Sequence, residues 1–154
     1  MTMTEMPSPA DTPQTVPAEV EPHEIFVPEP GSLVEQFAAG YSFALDDYQL
    51  RSCAEVEAGA GVLVAAPTGA GKTVVGEFAV FCALAKGTKC FYTTPIKALS
   101  NQKFHDLIAR HGADRVGLLT GDSSINSEAQ VVIMTTEVLR NMIYANSTTL
   151  NNLG

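Results

Sequence analysis

Val62-Leu63-Val64-Ala65-Ala66-Pro67-Thr68-Gly69-Ala70-Gly71-Lys72-Thr73 is the stretch on which the fold turns. Its first five residues form an apolar run long enough for a buried strand, and Pro67 to Gly71 break that run. From Lys72 to Lys86 the sequence KTVVGEFAVFCALAK carries apolar residues at helical spacing and stops at Gly87. A strand that feeds a glycine-containing loop into a helix N-terminus is suited to hold phosphate. Glycines let backbone N–H groups converge on an anion where a side chain would block them. The helix start adds unpaired N–H groups and the positive end of its dipole. Lys72 is placed to reach β- and γ-phosphates, and the Thr73 hydroxyl to hold a nucleotide-bound Mg²⁺. These two are the candidate catalytic residues, with Ala66, Pro67, Thr68, Gly69, Ala70 and Gly71 as the cradle. The general pattern begins with Gly, and Ala66 stands in that place.

Outward from this loop the pattern alternates. Upstream lie an amphipathic stretch over 32–39, an aromatic turn at Tyr41 to Phe43, and a helix expected over 46–58 before Gly59 and Gly61. Downstream, strands are expected at 89–93, 116–119 and 131–134, with helices at 97–110 and 137–144. Short apolar strands alternating with helices indicate an α/β fold with a parallel sheet covered on both faces, joined by right-handed crossovers.

Charge is unevenly spread along the 154 residues. The net charge is −8, yet residues 1–30 hold six acids, no Lys or Arg, and seven of the nine prolines. The other 124 residues hold eleven acids and nine bases, a net of −2. Residues 1–30 read as a disordered, acidic, Pro-rich leader, and 31–154 as the folded part. A globally basic nucleic-acid-binding protein is excluded; a local phosphate site is not. No apolar run approaches the roughly 18 residues of a membrane span. The N-terminus has neither the basic nor the apolar region of a secretory signal. Cys53, Cys82 and Cys90 lack metal-site spacing and read as reduced thiols of a cytoplasmic protein.

Several further motifs resemble, in order, those of superfamily 2 helicases. Phe43-Ala-Leu-Asp-Asp-Tyr-Gln49 is similar to the adenine-reading Q motif, and Ala66 to Thr73 to motif I, where Ala commonly replaces the first Gly. Thr94-Pro-Ile-Lys-Ala-Leu-Ser-Asn-Gln-Lys103 resembles motif Ia, the most specific element. Thr120-Gly121-Asp122 and Thr135-Thr136-Glu137-Val-Leu-Arg140 match the two motifs that follow. The whole of 41–146 resembles the DExH-box RNA helicases of the superkiller and exosome-associated type, the bacterial HelY type included.

The resemblance implies a RecA-like P-loop domain, the first of two, that binds ATP and Mg²⁺ and moves along single-stranded RNA, with DNA as the alternative strand. Under it, Phe43 and Gln49 join the loop in binding the nucleotide. Pro95, Lys97, Ser100, Asn101, Thr120, Gly121, Asp122, Thr135, Thr136 and Glu137 face nucleic acid, and RNA-decay machinery is an expected partner. The residues themselves leave alternatives. The Gln49 amide can read an adenine edge or lie idle on a helix, and Phe43 can stack on a base or staple the helix. Lys97, Ser100 and Asn101 share a helix face near its positive end, suited to phosphate or simply solvated. Thr135 and Thr136 precede a helix, where capping and phosphate binding use one geometry. Lys97 and Lys103 supply positive charge to the motif Ia block.

Hydrolysis also needs a carboxylate at a neighbouring strand end to hold the ion and position water. In the resembled family it is Asp-Glu-x-His, which does not occur here; Asp122 and Glu137 follow strands but match other motifs. The expectation is therefore a chain truncated before that strand, lacking the second RecA-like domain and inactive by itself. The competing functions are a P-loop kinase or transport ATPase, and a non-catalytic nucleotide-binding module.

Overall fold

The computed structural model describes residues 24–151 and 153–154. Five α-helices are present among them, α1 Leu33–Ala39, α2 Asp47–Glu57, α3 Thr73–Lys86, α4 Lys97–His111 and α5 Thr136–Tyr144, with one 3-10 turn at Thr148–Leu150. Four strands accompany them, β1 Cys90–Thr94, β2 Val116–Leu119, β3 Ser124–Ile125 and β4 Val131–Thr135. They form one sheet in the order β1-β4-β2-β3. β4 runs parallel to both β1 and β2, with Thr94 opposite Thr135 and Leu119 opposite Met134. β3 is a short antiparallel return on β2. No described helix is long and apolar enough to cross a membrane.

β4 is central because its side chains alternate between two buried faces. Val131 and Ile133, both fully buried, pack with Val80 of α3, Phe104 and Leu107 of α4, and Val116 and Leu118 of β2. Val132 and Met134 face the other way, against Ala129 and the α5 residues Val138, Leu139 and Met142. Burying a side chain of this size stabilises the fold by about 1.5–3 kcal/mol. A further cluster of Val34, Phe37, Leu45, Cys53, Val75 and Phe78 fastens α1 and α2 onto the outer side of α3. Gly87, at φ 71°, ends α3 in the left-handed conformation that glycine adopts without strain.

Two expectations change. The run 62–66 pairs with no strand, and Leu63 is 95% exposed. An apolar run promises burial but does not supply the neighbour that a ladder requires. The acidic leader, expected over 1–30, lies outside the described residues up to 23. Residues 24–29 carry no regular secondary structure and are held on α2 through Glu24 and Phe26. The Phe26 N–H donates to Asp47 Oδ1 at 2.6 Å, Arg51 lies 5.5 Å from the Phe26 ring centroid, and Arg51 also donates to the Glu24 carbonyl.

Candidate nucleotide and nucleic-acid site

The phosphate loop owes its shape to two glycines, Gly69 at φ 85° and Gly71 at φ 79°. Either would be strained as any other residue. At Gly71 a Cβ would also stand 2.6 Å from Gln49 Nε2. The loop is braced from α2: Tyr48 donates its hydroxyl to the Ala70 carbonyl, and Gln49 Nε2 donates to the Gly71 carbonyl at 3.0 Å. Gln49 Oε1 accepts from the Asp46 N–H at 2.8 Å, closing the start of α2. Gln49 is buried, and its amide is engaged with backbone at both ends. The sequence offered that amide to a base; here it holds the loop. Lys72 immediately precedes α3, and its ammonium donates to the Ala66 and Pro67 carbonyls, across the loop mouth.

Thr73, the first residue of α3, is exposed at the junction of two grooves. One, of about 370 Å³, runs between Lys72, Thr73, Gly76 and β1 residues Cys90–Thr93. The other, of about 340 Å³, leads from Thr73 to Thr94, Lys103 and Asp106. Phe43 is 60% exposed and meets the Tyr41 ring edge-on at 5.2 Å. It does not staple α2. Leu45, just before Asp46, is the buried residue in that role, packed in one cluster with Leu50.

The remaining motif residues gather at the C-terminal ends of β1, β4 and β2, the side of a parallel sheet where ligands bind. Thr94 ties these ends together. Its Oγ1 donates to the Ile96 carbonyl at 2.9 Å and lies 2.6 Å from Ser100 Oγ, while its own carbonyl accepts from Thr136 Oγ1 at 3.2 Å. Pro95, Gly121, Asp122, Thr136 and Glu137 are exposed, Asn101 and Thr135 half-buried, and Thr120 buried. Lys97 forms an ion pair with Asp122, whose other oxygen accepts from Thr120 Oγ1 at 3.0 Å. The Lys97 ammonium, with the Thr120 hydroxyl, holds the Asp122 carboxyl below the usual carboxylate range.

Ser100 does not face the groove. It is fully buried, because on α4 it heads the inward row continued by Phe104 and Leu107. Lys103 is equally committed, 3.2 Å from Glu77 and 85% buried. Glu77 also accepts from Tyr41 Oη at 3.0 Å and Arg110 Nη1 at 2.7 Å, joining the aromatic turn, α3 and α4. Tyr48 and Thr94 lie within the two quoted motifs but carry no role of their own in the sequence reading, and Glu77 lies outside every motif. A single acid inside the apolar run of α3 was the available signal for Glu77.

The DEAD/DEAH box helicase family model matches residues 46–154. A probable helicase HelY of Mycobacterium tuberculosis (strain H37Rv) is 66% identical over 120 residues, covering 78% of this chain and 13% of that protein. The ATP-dependent RNA helicase mtr4 of Schizosaccharomyces pombe is 51% identical over 110 residues, 71% of this chain and 10% of that protein. The chain thus spans about an eighth or less of these relatives' length. A hypothetical ATP-dependent RNA helicase from Sulfolobus tokodaii shares the fold at a TM-score of 0.58 and 22% identity, over 79% of this chain and 38% of that one. The braced phosphate loop and the row of strand ends beside it are thus those of a member: the chain belongs to the DEAD/DEAH box helicase family.

Proposed function

We propose that this chain is the nucleotide-binding part of an ATP-dependent RNA helicase, coupling ATP hydrolysis to movement along a single strand. The observation that carries the reading is the gathering of two polar pairs, Thr94 with Thr136 and Lys97 with Asp122, at three adjacent strand ends, with one groove leading from Thr73 to Thr94. In this reading the loop N–H groups and Lys72 take the phosphates of ATP. Thr73 adds one hydroxyl to a Mg²⁺ ion that supplies charge neutralisation when bound. Among the described residues no three His, Cys, Asp or Glu side chains converge as metal ligands, so the donor set suits an ion held mainly by phosphate oxygens and water. Gln49 links α2 to the loop, so that base contacts on that side are felt at Gly71. The strand ends take the phosphates of RNA, with DNA as the other candidate strand. RNA-decay machinery is the proposed partner class. The cytoplasm is the proposed compartment, on the evidence of three unpaired cysteines.

The test is Lys72→Ala in the full-length protein. Turnover is expected to vanish and nucleotide affinity to fall roughly ten- to hundredfold, the scale of a lost charge-assisted hydrogen bond. Wild-type turnover overturns the loop assignment. Binding of labelled single-stranded RNA, measured alongside, separates this reading from a small-molecule kinase, which binds none.

A further inference from the structure

Resting on the reading of the strand ends as a nucleic-acid track, we propose that Asp122 is an internal counter-ion that stands in for an RNA phosphate on Lys97. A single strand then binds here by displacing a carboxylate. Lys97 is the first residue of α4 and Asp122 lies in the loop after β2, 25 positions apart. Lys97 follows β1 and Asp122 follows β2, and β4 lies between those strands in the sheet. Their ion pair therefore joins the ends of the two strands that flank β4. A backbone laid along the three strand ends has to pass that point.

The chemistry of the carboxylate fixes its role. Ionised Asp and a phosphodiester are both acceptors only, so neither can hydrogen-bond the other. Both compete for the same ammonium. Thr120 Oγ1 holds one oxygen of Asp122 and leaves the other on Lys97, which gives the carboxylate a fixed aim. The pair is also exchangeable: the side chains are 47% and 64% exposed, and a solvated pair of this kind is weak. One isolated phosphate gains little by replacing the carboxylate. A strand that also meets the β1 and β4 ends makes several contacts at once and displaces it. Asp122 thereby favours strands over small anions at a site whose surroundings are near neutral in charge.

The test is a double-mutant cycle in the full-length protein, reading the affinity of a labelled single-stranded oligouridylate without nucleotide, across a salt series. Asp122→Asn is expected to tighten binding about two- to fivefold at low salt, the scale of one exposed ion pair. The gain is expected to be smaller in a Lys97→Ala background, where there is no ammonium to release. With Asp122→Asn, the log–log salt slope is expected to exceed that of the double variant by about 0.7, one phosphate's worth. Asp122→Ser, which removes the carboxylate and shortens the side chain, should reproduce the gain. An equal gain in both backgrounds means that Asp122 acts only through its long-range field and overturns the proposal. So does a loss of affinity in both Asp122 variants. If Lys97→Ala weakens binding and Asp122→Asn brings no gain, the counter-ion alone is overturned. If Lys97→Ala has no effect in either background, the track itself fails, and the counter-ion with it.

Discussion

Glu77 receives three donors, one from the aromatic turn and two from α4, and its titration follows from them. Burial alone raises its pKa, but hydrogen bonding to Lys103 and the charges of Arg110 and Lys103 outweigh it and hold the carboxyl below 4.5. A carboxylate whose folded pKa is depressed stabilises the fold above its unfolded pKa, and loses that contribution as pH falls through the folded value. Glu77→Gln should therefore lower unfolding free energy at neutral pH by about 2 kcal/mol, because it leaves Lys103 and Arg110 without their anion. The difference from wild type should shrink as pH falls below the ordinary glutamate range, where the native carboxyl protonates. Denaturant unfolding of both proteins across that range checks it; a pH-independent difference would show that shape rather than charge is at stake. Gln49 makes the complementary point about legibility. Its place three residues into a helix was readable, but the carbonyl of Gly71 that it binds comes from another element, 22 residues away.

At the scale of elements, β2 and its return strand are locked by a close approach. A Cβ at Gly117 would lie 2.1 Å from the carbonyl oxygen of Asn126 and 3.0 Å from that of Ile125. These are backbone atoms and cannot rotate aside. Gly117→Ala should cost about 1–3 kcal/mol, visible as a lowered thermal midpoint, with the β2–β3 pairing lost first. Most element positions followed from period alone: the reading of 97–110 as a helix matches α4, Lys97–His111, and 131–134 matches β4, Val131–Thr135. β3 escaped because two residues carry no period. The run 62–66 was read as a strand on composition, and a ladder depends on neighbours that composition does not name. Ser100 shows the same limit within a helix. It is offset from Lys97 by about 60° in the 3.6-residue turn, enough to carry it from the open face to the sheet. Spacing says which residues are near each other; the sheet decides which of them face water.

For the whole molecule, the distribution of charge sets how a polyanion arrives. Residues 1–23 hold four acids and no Lys or Arg, half of the net charge of −8, while residues 31–154 hold eleven acids and nine bases. Like charge slows encounter over distances of about one Debye length, roughly 10 Å at 0.1 M salt. Deleting residues 1–23 should raise the RNA association rate severalfold at low salt. The gain should disappear at high salt, with the dissociation rate unchanged. Stopped-flow binding at two ionic strengths measures both, and a change confined to dissociation would assign those residues a contact instead. The central position of β4 has a consequence for how the molecule opens. Its residues belong to both cores at once, so its hydrogen bonds cannot be released by fraying either layer separately. The amides of Val132, Ile133 and Met134 should therefore exchange with deuterium only on global unfolding. Those of Gly121 and Asp122, just past the end of β2, and of Glu137, in the first turn of α5 after β4, should exchange by local opening alone. The boundary between a rigid floor and a yielding rim would then fall within two residues of Thr135, where the sheet meets the surface proposed to hold the strand.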